Sequence, residues 1–370
     1  MRTPRRTEMN PPVSETTELQ GPVVIIGAGL IGASVGCALT AAGIDVRLSD
    51  RNPAHAQVAA GRGAGSVDPV DPDEVAVVVA AVPPAALVGV IMAALAQYPN
   101  AYVTDVGSVK HRILIRLREQ GADLSRYVGS HPMAGSHLSG PISANEDLFA
   151  DRTWIVAPHE GSTPGAVDTV TALARTCRAR VVRMGTADHD RAVAEVSHLP
   201  QVVSSVLASG LTGVAPAHLA IAGQGLRDTT RIAGSDPGLW QQILLGNREE
   251  VAQEVRRFRA RLDDMLEGLE AGYVEPQLAA GVAGTLAIPG KHGGRHEEYA
   301  RFIVQIPDEQ GALARLFVDA DRAGVSIEDI SIEHDPVKQV GWLSLAVVPE
   351  GAERLEKTMT EAGWEIQPPD

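Results

Sequence analysis

Apolar positions in the first half of the chain fall into short β-branched runs separated by stretches of helical periodicity. Val23-Val24-Ile25-Ile26 is one such run, followed by a glycine-rich turn and an apolar helical pattern through Ala42. Four apolar residues in a row read as a strand buried on both faces. Residues 45–49 (DVRLS), 75–81 (VAVVVAA), 101–105, 154–157 and 180–183 repeat the strand pattern. Helices are predicted over 87–95, 109–117 and 164–177. Alternation of this kind predicts an α/β fold with a mostly parallel, doubly wound sheet. From residue 187 to about 278 the strand pattern stops, and Ala, Leu, Arg and Glu recur at helical spacing, as in 251–269. An all-helical domain is expected there. A Gly-rich, charged stretch, AIPGKHGGRHEE, then reads as a linker. Beyond it, 301–306, 311–323, 326–333, 341–348, 352–361 and 364–366 spell strand, helix, strand, strand, helix, strand, a βαββαβ unit. The expected organisation is a disordered tail over 1–20, a sheet domain over 21–185, a helical domain over 186–285, a linker over 286–297 and the βαββαβ domain over 298–370.

The turn after the first strand is Gly27-Ala28-Gly29-Leu30-Ile31-Gly32. In this spacing the first glycine allows a tight turn, the second lets backbone approach a pyrophosphate, and the third lets helix pack on strand. The helix N-terminus offers free N–H groups to the phosphates. The second strand ends at Asp50, about twenty residues on, where a carboxylate can bind a ribose 2′-hydroxyl. The whole is a Rossmann-like dinucleotide site, with NAD as the expected cofactor. Arg51, beside the acid, could instead meet a 2′-phosphate. Ligands of such sheets sit beyond the carboxyl ends of the strands. Val82-Pro83, Ser108 and a loop carrying His131 should therefore converge with Gly27 at one edge.

Charge and cysteine content narrow the class. The 370 residues suffice for two or three domains, and a net charge of −14 argues against nucleic acid or an anionic membrane as the main partner. Cys37 and Cys177 are the only cysteines, too few for a disulfide framework, which fits a reducing cytoplasm. No apolar run reaches the length of a membrane span, and the polar start lacks the apolar segment of a secretion signal. No Cys/His spacing suggests a metal.

Chemistry is expected at three places. His131, in Gly129-Ser130-His131-Pro132-Met133-Ala134-Gly135, can take a proton from an alcohol while hydride leaves for nicotinamide. Ser108 could orient that ring, or simply cap the following helix. His198 lies in a helical stretch, where a surface position is the plain reading. Arg227-Asp228-Thr229-Thr230-Arg231 offers guanidinium groups for a carboxylate, and Trp240 could wall the pocket.

Taken together, Gly27–Gly32, Thr104-Asp105-Val106-Gly107-Ser108-Val109-Lys110, His131-Pro132-Met133-Ala134-Gly135, Ser197-His198-Leu199-Pro200 and Arg227-Asp228-Thr229-Thr230-Arg231-Ile232-Ala233 occur in the order seen in prephenate dehydrogenases. The resemblance covers roughly residues 22–285. The tail, with Asp308-Glu309-Gln310-Gly311-Ala312-Leu313, resembles an ACT domain. The resemblance implies NAD-dependent oxidative decarboxylation of prephenate to 4-hydroxyphenylpyruvate in tyrosine biosynthesis, by a homodimer with tyrosine as a possible effector. It implies that His131 hydrogen-bonds the ring hydroxyl with help from Ser108, that Arg231 binds a substrate carboxylate, and that His198 and Trp240 line the pocket. Arogenate or cyclohexadienyl dehydrogenase is the alternative activity. A non-catalytic sensor would need no proton acceptor, and a hydroxyacid dehydrogenase would need a lysine that residues 187–278 lack. Two positions depart from the family pattern. His137 stands where members commonly carry an acid, which could tune the substrate pocket or link subunits, and Gln201 stands where the helix motif often ends in histidine.

Overall fold

β1 (Val23–Ile26) pairs in parallel with β2 (Val46–Ser49) on one side and β3 (Val77–Ala80) on the other. Its alternate side chains feed two cores. Val23 and Ile25 join a layer filled by α1 (Leu30–Ala41), α2 (Pro53–Gly61) and α5 (Pro164–Thr176). Val24 joins a layer filled by α3 (Pro84–Gln97) and α4 (His111–Glu119). Burial on both faces is why β1 and β3 are apolar throughout. β4 (Tyr102–Asp105), β5 (Tyr127–Pro132), β6 (Thr153–Ala157) and β7 (Arg180–Arg183) complete a seven-stranded sheet in the order β2-β1-β3-β4-β5-β6-β7. A parallel bridge from Arg47 to Ser66 extends it past β2 by one residue pair. Counted as a rudimentary strand, Ser66 completes the strand order of a Rossmann dinucleotide-binding sheet. The structure, a computed structural model, describes residues 18–134, 140–288, 299–307, 309–335 and 340–367.

Three details depart from the sequence expectation. β6 runs antiparallel to β5, and β7 follows β6, so the last two strands reverse the sheet. The helix after Ser108 starts at His111, two residues later than its periodicity suggests, because Lys110 faces inward and is buried. His131 is not in a loop: it lies inside β5, paired through the backbone with β6.

Helices follow the sheet: α6 (Thr186–Val193), α7 (Leu199–Gly210), α8 (Pro216–Leu219), α9 (Gln224–Thr230), α10 (Pro237–Gly246), α11 (Arg248–Ala271) and α12 (Glu275–Leu286). A π-helical turn, Ala194–His198, joins α6 to α7. Pro200 has no N–H for the carbonyl four residues back and its ring crowds that carbonyl, which explains the widened turn just before it.

By internal contacts the chain forms two compact units, Met1–Arg261 and Leu262–Asp370. The second holds the end of α11, α12, and an antiparallel sheet of β8 (Ala300–Pro307), β9 (Ile327–Asp335), β10 (Val340–Val347) and β11 (Ile366–Gln367) in the order β11-β8-β10-β9. Helices α13 (Ala312–Arg322) and α14 (Pro349–Glu361) cover one face, with Phe302, Val304, Leu316, Leu345, Leu355 and Met359 in the core. Trp364 closes that core and donates its indole N–H to Asp319 at 3.0 Å. The βαββαβ order read from the sequence is present.

Candidate active site

The glycine turn is shaped by contacts that only glycine tolerates. Gly27 has φ +107°, and a Cβ there would sit 2.2 Å from the Ala81 carbonyl oxygen. A Cβ on Gly32 would sit 2.0 Å from the Gly27 oxygen. Gly29 is different: nothing lies within 4 Å of its would-be Cβ. The turn therefore packs tightly against β3 on one side and leaves open space at Gly29. That space lies over the N-terminus of α1, whose amides have no side-chain cap. Leu30 and Ile31 open the helix there. At the end of β2, Asp50 accepts the Ala28 amide at 2.7 Å and the Asn52 amide at 2.8 Å. Each carboxylate oxygen keeps a lone pair for a ribose hydroxyl. Arg51 follows directly and is exposed. Val82 and Pro83 follow β3, where Gln242 accepts the Ala85 amide at 3.1 Å and ties α10 to the start of α3. The residues present thus fit a dinucleotide: an uncapped helix end, a glycine with free space over it, and an acid at the second strand.

A buried polar network lies at the ends of β4 and β5. His131 Nδ1 is 2.9 Å from His189 Nε2, and His189 Nδ1 is 2.7 Å from Asp190 Oδ1. Asp190 also accepts the backbone amides of Lys110 at 2.8 Å and His111 at 3.0 Å, holding the first turn of α4. Its backbone oxygen accepts Asn247 Nδ2 at 2.6 Å, and the same amide group lies 3.2 Å from His198 Nδ1. His198 meets the Trp240 ring edge-on at 6.2 Å. Beneath this chain Lys110 pairs with Asp105, which also takes the Tyr127 hydroxyl at 2.7 Å and the Gly107 amide at 3.0 Å. Lys110, Asp105 and Tyr127 are all buried, so this ion pair is satisfied inside the protein.

Burial governs the histidines. Desolvation, with help from His189, Lys110 and His198, holds His131 well below its ordinary range. His189 is also lowered by burial, with Asp190 pulling the other way. Burial brings His198 down to about 4. All three rings are neutral at pH 7, and a neutral imidazole is what a proton acceptor requires.

The structure therefore connects His131, His198 and Trp240 through one network, and places His198 in the interior rather than on a helix surface. Arg231 lies apart, exposed in the 3₁₀ turn Arg231–Gly234, with no ion pair among the described residues. That turn is anchored by Gln201, which is buried and donates to the Ile232 carbonyl at 3.1 Å. Ser108 makes no hydrogen bond to His131 among the described residues; His189 occupies the ring's Nδ1. His137 falls outside the described residues. Sequence reasoning passed over His189, Asp190, Asn247 and the buried Lys110–Asp105 pair. The one local signal was the adjacent His189-Asp190, which alone reads as solvated helix.

Both the sheet and the helices that follow it are similar to known proteins. The family model of the prephenate dehydrogenase nucleotide-binding domain matches residues 35–183, and that of the prephenate dehydrogenase dimerization domain matches 185–282. The chain is 31% identical over 355 residues to NovF of Streptomyces niveus, described as a probable prephenate dehydrogenase, covering 92% of this chain and 98% of the relative. It is 31% identical over 255 residues to the cyclohexadienyl dehydrogenase of Zymomonas mobilis, covering 65% and 85%. Among solved structures, prephenate dehydrogenase from A. aeolicus, in complex with hydroxyphenyl propionate and NAD+, superposes with a TM-score of 0.65 at 25% identity, covering 74% of this chain and 98% of that one.

Proposed function

The chain belongs to the prephenate dehydrogenase family, and from that premise we propose that it oxidatively decarboxylates prephenate to 4-hydroxyphenylpyruvate, using NAD, in tyrosine biosynthesis. The observation that carries the proposal is His131: a neutral, buried imidazole at the strand-end edge that also bears the glycine turn and Asp50. When bound, NAD would supply the acceptor for the hydride that leaves the ring carbon bearing the hydroxyl. The chain's own residues do the rest. Gly27, Gly29, Leu30, Ile31 and Gly32 would present the turn and helix end to the pyrophosphate, Asp50 would take the ribose, and Val82 and Pro83 would serve the nicotinamide end. His131 takes the hydroxyl proton, which raises electron density on the departing hydride's carbon. Loss of CO₂ then makes the ring aromatic, and the proton returns to the new phenol oxygen, so no net proton is released.

Arg231 is the group for a substrate carboxylate: an exposed guanidinium without a partner among the described residues, on a turn that Gln201 fixes. His198 has a second role. Asn247 uses its NH₂ on a carbonyl, which can only accept, so it also donates to His198 Nδ1. The His198 proton then sits on Nε2, a donor for the substrate, with Trp240 as the neighbouring wall. Ser108 and His137 belong to the same pocket in this reading.

The βαββαβ segment supports an ACT-like regulatory role with tyrosine as effector. Gly311, at φ +87°, leads into α13 with no side-chain cap, leaving amides for an α-carboxylate. A homodimer is supported by apolar side chains on α11 and α12, among them Leu262, Leu266 and Leu269 at 52%, 54% and 61% exposure.

The test is NADH formation with prephenate and arogenate side by side. Prephenate turnover that falls by about 10²–10⁴ in His131→Asn supports the assignment. Turnover of arogenate alone, or of both alike, would replace it with the arogenate or cyclohexadienyl activity, the latter being that of the Zymomonas relative.

A further inference from the structure

We propose that Asp190 and His189 form a positioning relay that fixes the tautomer of His131, holding its proton on Nδ1 and leaving Nε2 bare for the substrate hydroxyl. The inference rests on the reading of His131 as the proton acceptor and adds how the fold prepares it.

The direction of every bond in the relay follows from its far end. Both oxygens of Asp190 accept backbone amides, from Lys110 at 2.8 Å and His111 at 3.0 Å. Amides can only donate, so the carboxylate is committed to accepting. The third contact, His189 Nδ1 at 2.7 Å from Oδ1, is then a donation from the ring. A neutral imidazole has one N–H. With the proton of His189 on Nδ1, its Nε2 carries a lone pair. That lone pair lies 2.9 Å from His131 Nδ1, which must donate to it. The single proton of neutral His131 is thereby placed on Nδ1, and Nε2 is left as the acceptor. Without this chain a histidine has two tautomers to choose from, and the wrong one puts an N–H where the substrate's O–H must donate.

The relay has a second effect. Once Nε2 takes the hydroxyl proton, His131 becomes an imidazolium whose Nδ1–H already points at His189, itself held on the Asp190 carboxylate. The positive charge meets a lone pair at once and an anion one ring further on. Other charged or titratable groups face the pair. Lys110 and His198 act on His131, and Lys110 and Asp105 act on His189. The Lys110 ammonium is paired with Asp105, which leaves Asp190 as the carboxylate that answers the new charge through His189.

The arrangement resembles the carboxylate–histidine pair of serine hydrolases, lengthened by one imidazole. There, replacing the carboxylate by its amide leaves the geometry intact and lowers kcat by about 10⁴ through the wrong tautomer. Here the amide variant, Asp190→Asn, could disturb α4, because an NH₂ would face a backbone N–H. His189 is the cleaner site. His189→Leu removes the acceptor for His131 Nδ1, whereas a glutamine in His189→Gln offers a carbonyl oxygen to the same proton.

Two measurements on the full chain test the relay. The first is ¹⁵N nuclear magnetic resonance of the histidine rings, with the His131 signal assigned by its loss in His131→Asn. The wild-type ring is expected as the Nδ1–H tautomer, and His189→Leu is expected to shift it toward Nε2–H. A wild-type His131 protonated on Nε2 overturns the proposal whether or not the enzyme acts on prephenate. The second is steady-state kinetics with prephenate and NAD. His189→Leu is expected to lower kcat by about 10²–10⁴ and to leave KM for NAD within about twofold. His189→Gln is expected to recover at least tenfold of the lost rate. A kcat within threefold of wild type in His189→Leu, while His131→Asn is inactive, overturns the relay. Failure of every form to turn over prephenate or arogenate, with the Nδ1–H tautomer present, would instead remove the proposed activity and leave the relay standing.

Discussion

A buried neutral histidine couples acid stability to the site. His198 is held down to about 4 by burial, whereas the unfolded chain titrates near 6.5. Between those values the unfolded state binds more protons, so folding stability rises with pH. The contribution is full above about pH 6.5 and is lost as pH falls toward 4, a difference of about 3 kcal/mol for this one ring. His131 and His189 shift in the same direction. Urea melts at pH 7 and pH 4.5 should therefore differ strongly, and His198→Gln should flatten the difference; an equal pH dependence in the variant would count against burial as the cause. Arg231 makes the opposite case, an exposed cation with no ion pair among the described residues. Arg231→Ala should leave the melting temperature alone and raise KM for prephenate by roughly tenfold to a hundredfold, the value of a charge-assisted hydrogen bond of about 1.5–3 kcal/mol. An equal rise in KM for NAD would point to a displaced turn instead.

At the scale of the element, the two flanks of the glycine turn separate folding from binding. Gly29→Ala places its methyl in open space, so the fold should tolerate it while the pyrophosphate loses its approach. Gly27→Ala forces a Cβ against a carbonyl at positive φ, a conflict of about 1–3 kcal/mol. Paired thermal melts and NAD titrations should show binding lost at Gly29 with stability kept, and both lost at Gly27. This turn was legible in the sequence because its glycines answer local geometry. So were β1 and β3, whose burial on both faces demands an apolar run. β5 was not. Tyr127-Val128-Gly129-Ser130-His131-Pro132 contains a glycine, a proline and polar groups, and is a strand only because β4 and β6 pair with it. The relay was hidden for a related reason. His189 and Asp190 look like a solvated helix face until α6 meets the start of α4 and the end of β5. The π turn had a local cause in Pro200, but its consequence, a buried His198, needed the tertiary contact with Asn247.

For the whole molecule, two apolar features invite association and control. The exposed leucines of α11 and α12 would cost solubility in a lone chain and fit the dimerization-domain match over 185–282. The βαββαβ segment has its own core, with Trp364 and Asp319 joined inside it, and does not share the sheet of the first unit. Inhibition through such a segment requires tyrosine to bind two states of the enzyme unequally. A chain ending at Ile288 should keep prephenate turnover and lose tyrosine inhibition. Undiminished inhibition would place tyrosine at the active site, as a competitor resembling the product.

The grip of Asp190 on α4 also bears on which residues evolution can exchange. Asp190 holds the main chain at 110 and 111, not their side chains, just as Gln201 holds the carbonyl of Ile232. Each bond is thus specific at one end and anonymous at the other. Position 190 admits no longer or shorter acid without losing two amides and a ring, while this bond asks of position 111 only that it not be proline, although the His111 ring also meets the Thr186 hydroxyl at 3.2 Å, and of position 232 only a residue that fits the turn. Among relatives, the pairs that build this site should not covary, and its architecture should show as isolated fixed positions opposite variable ones.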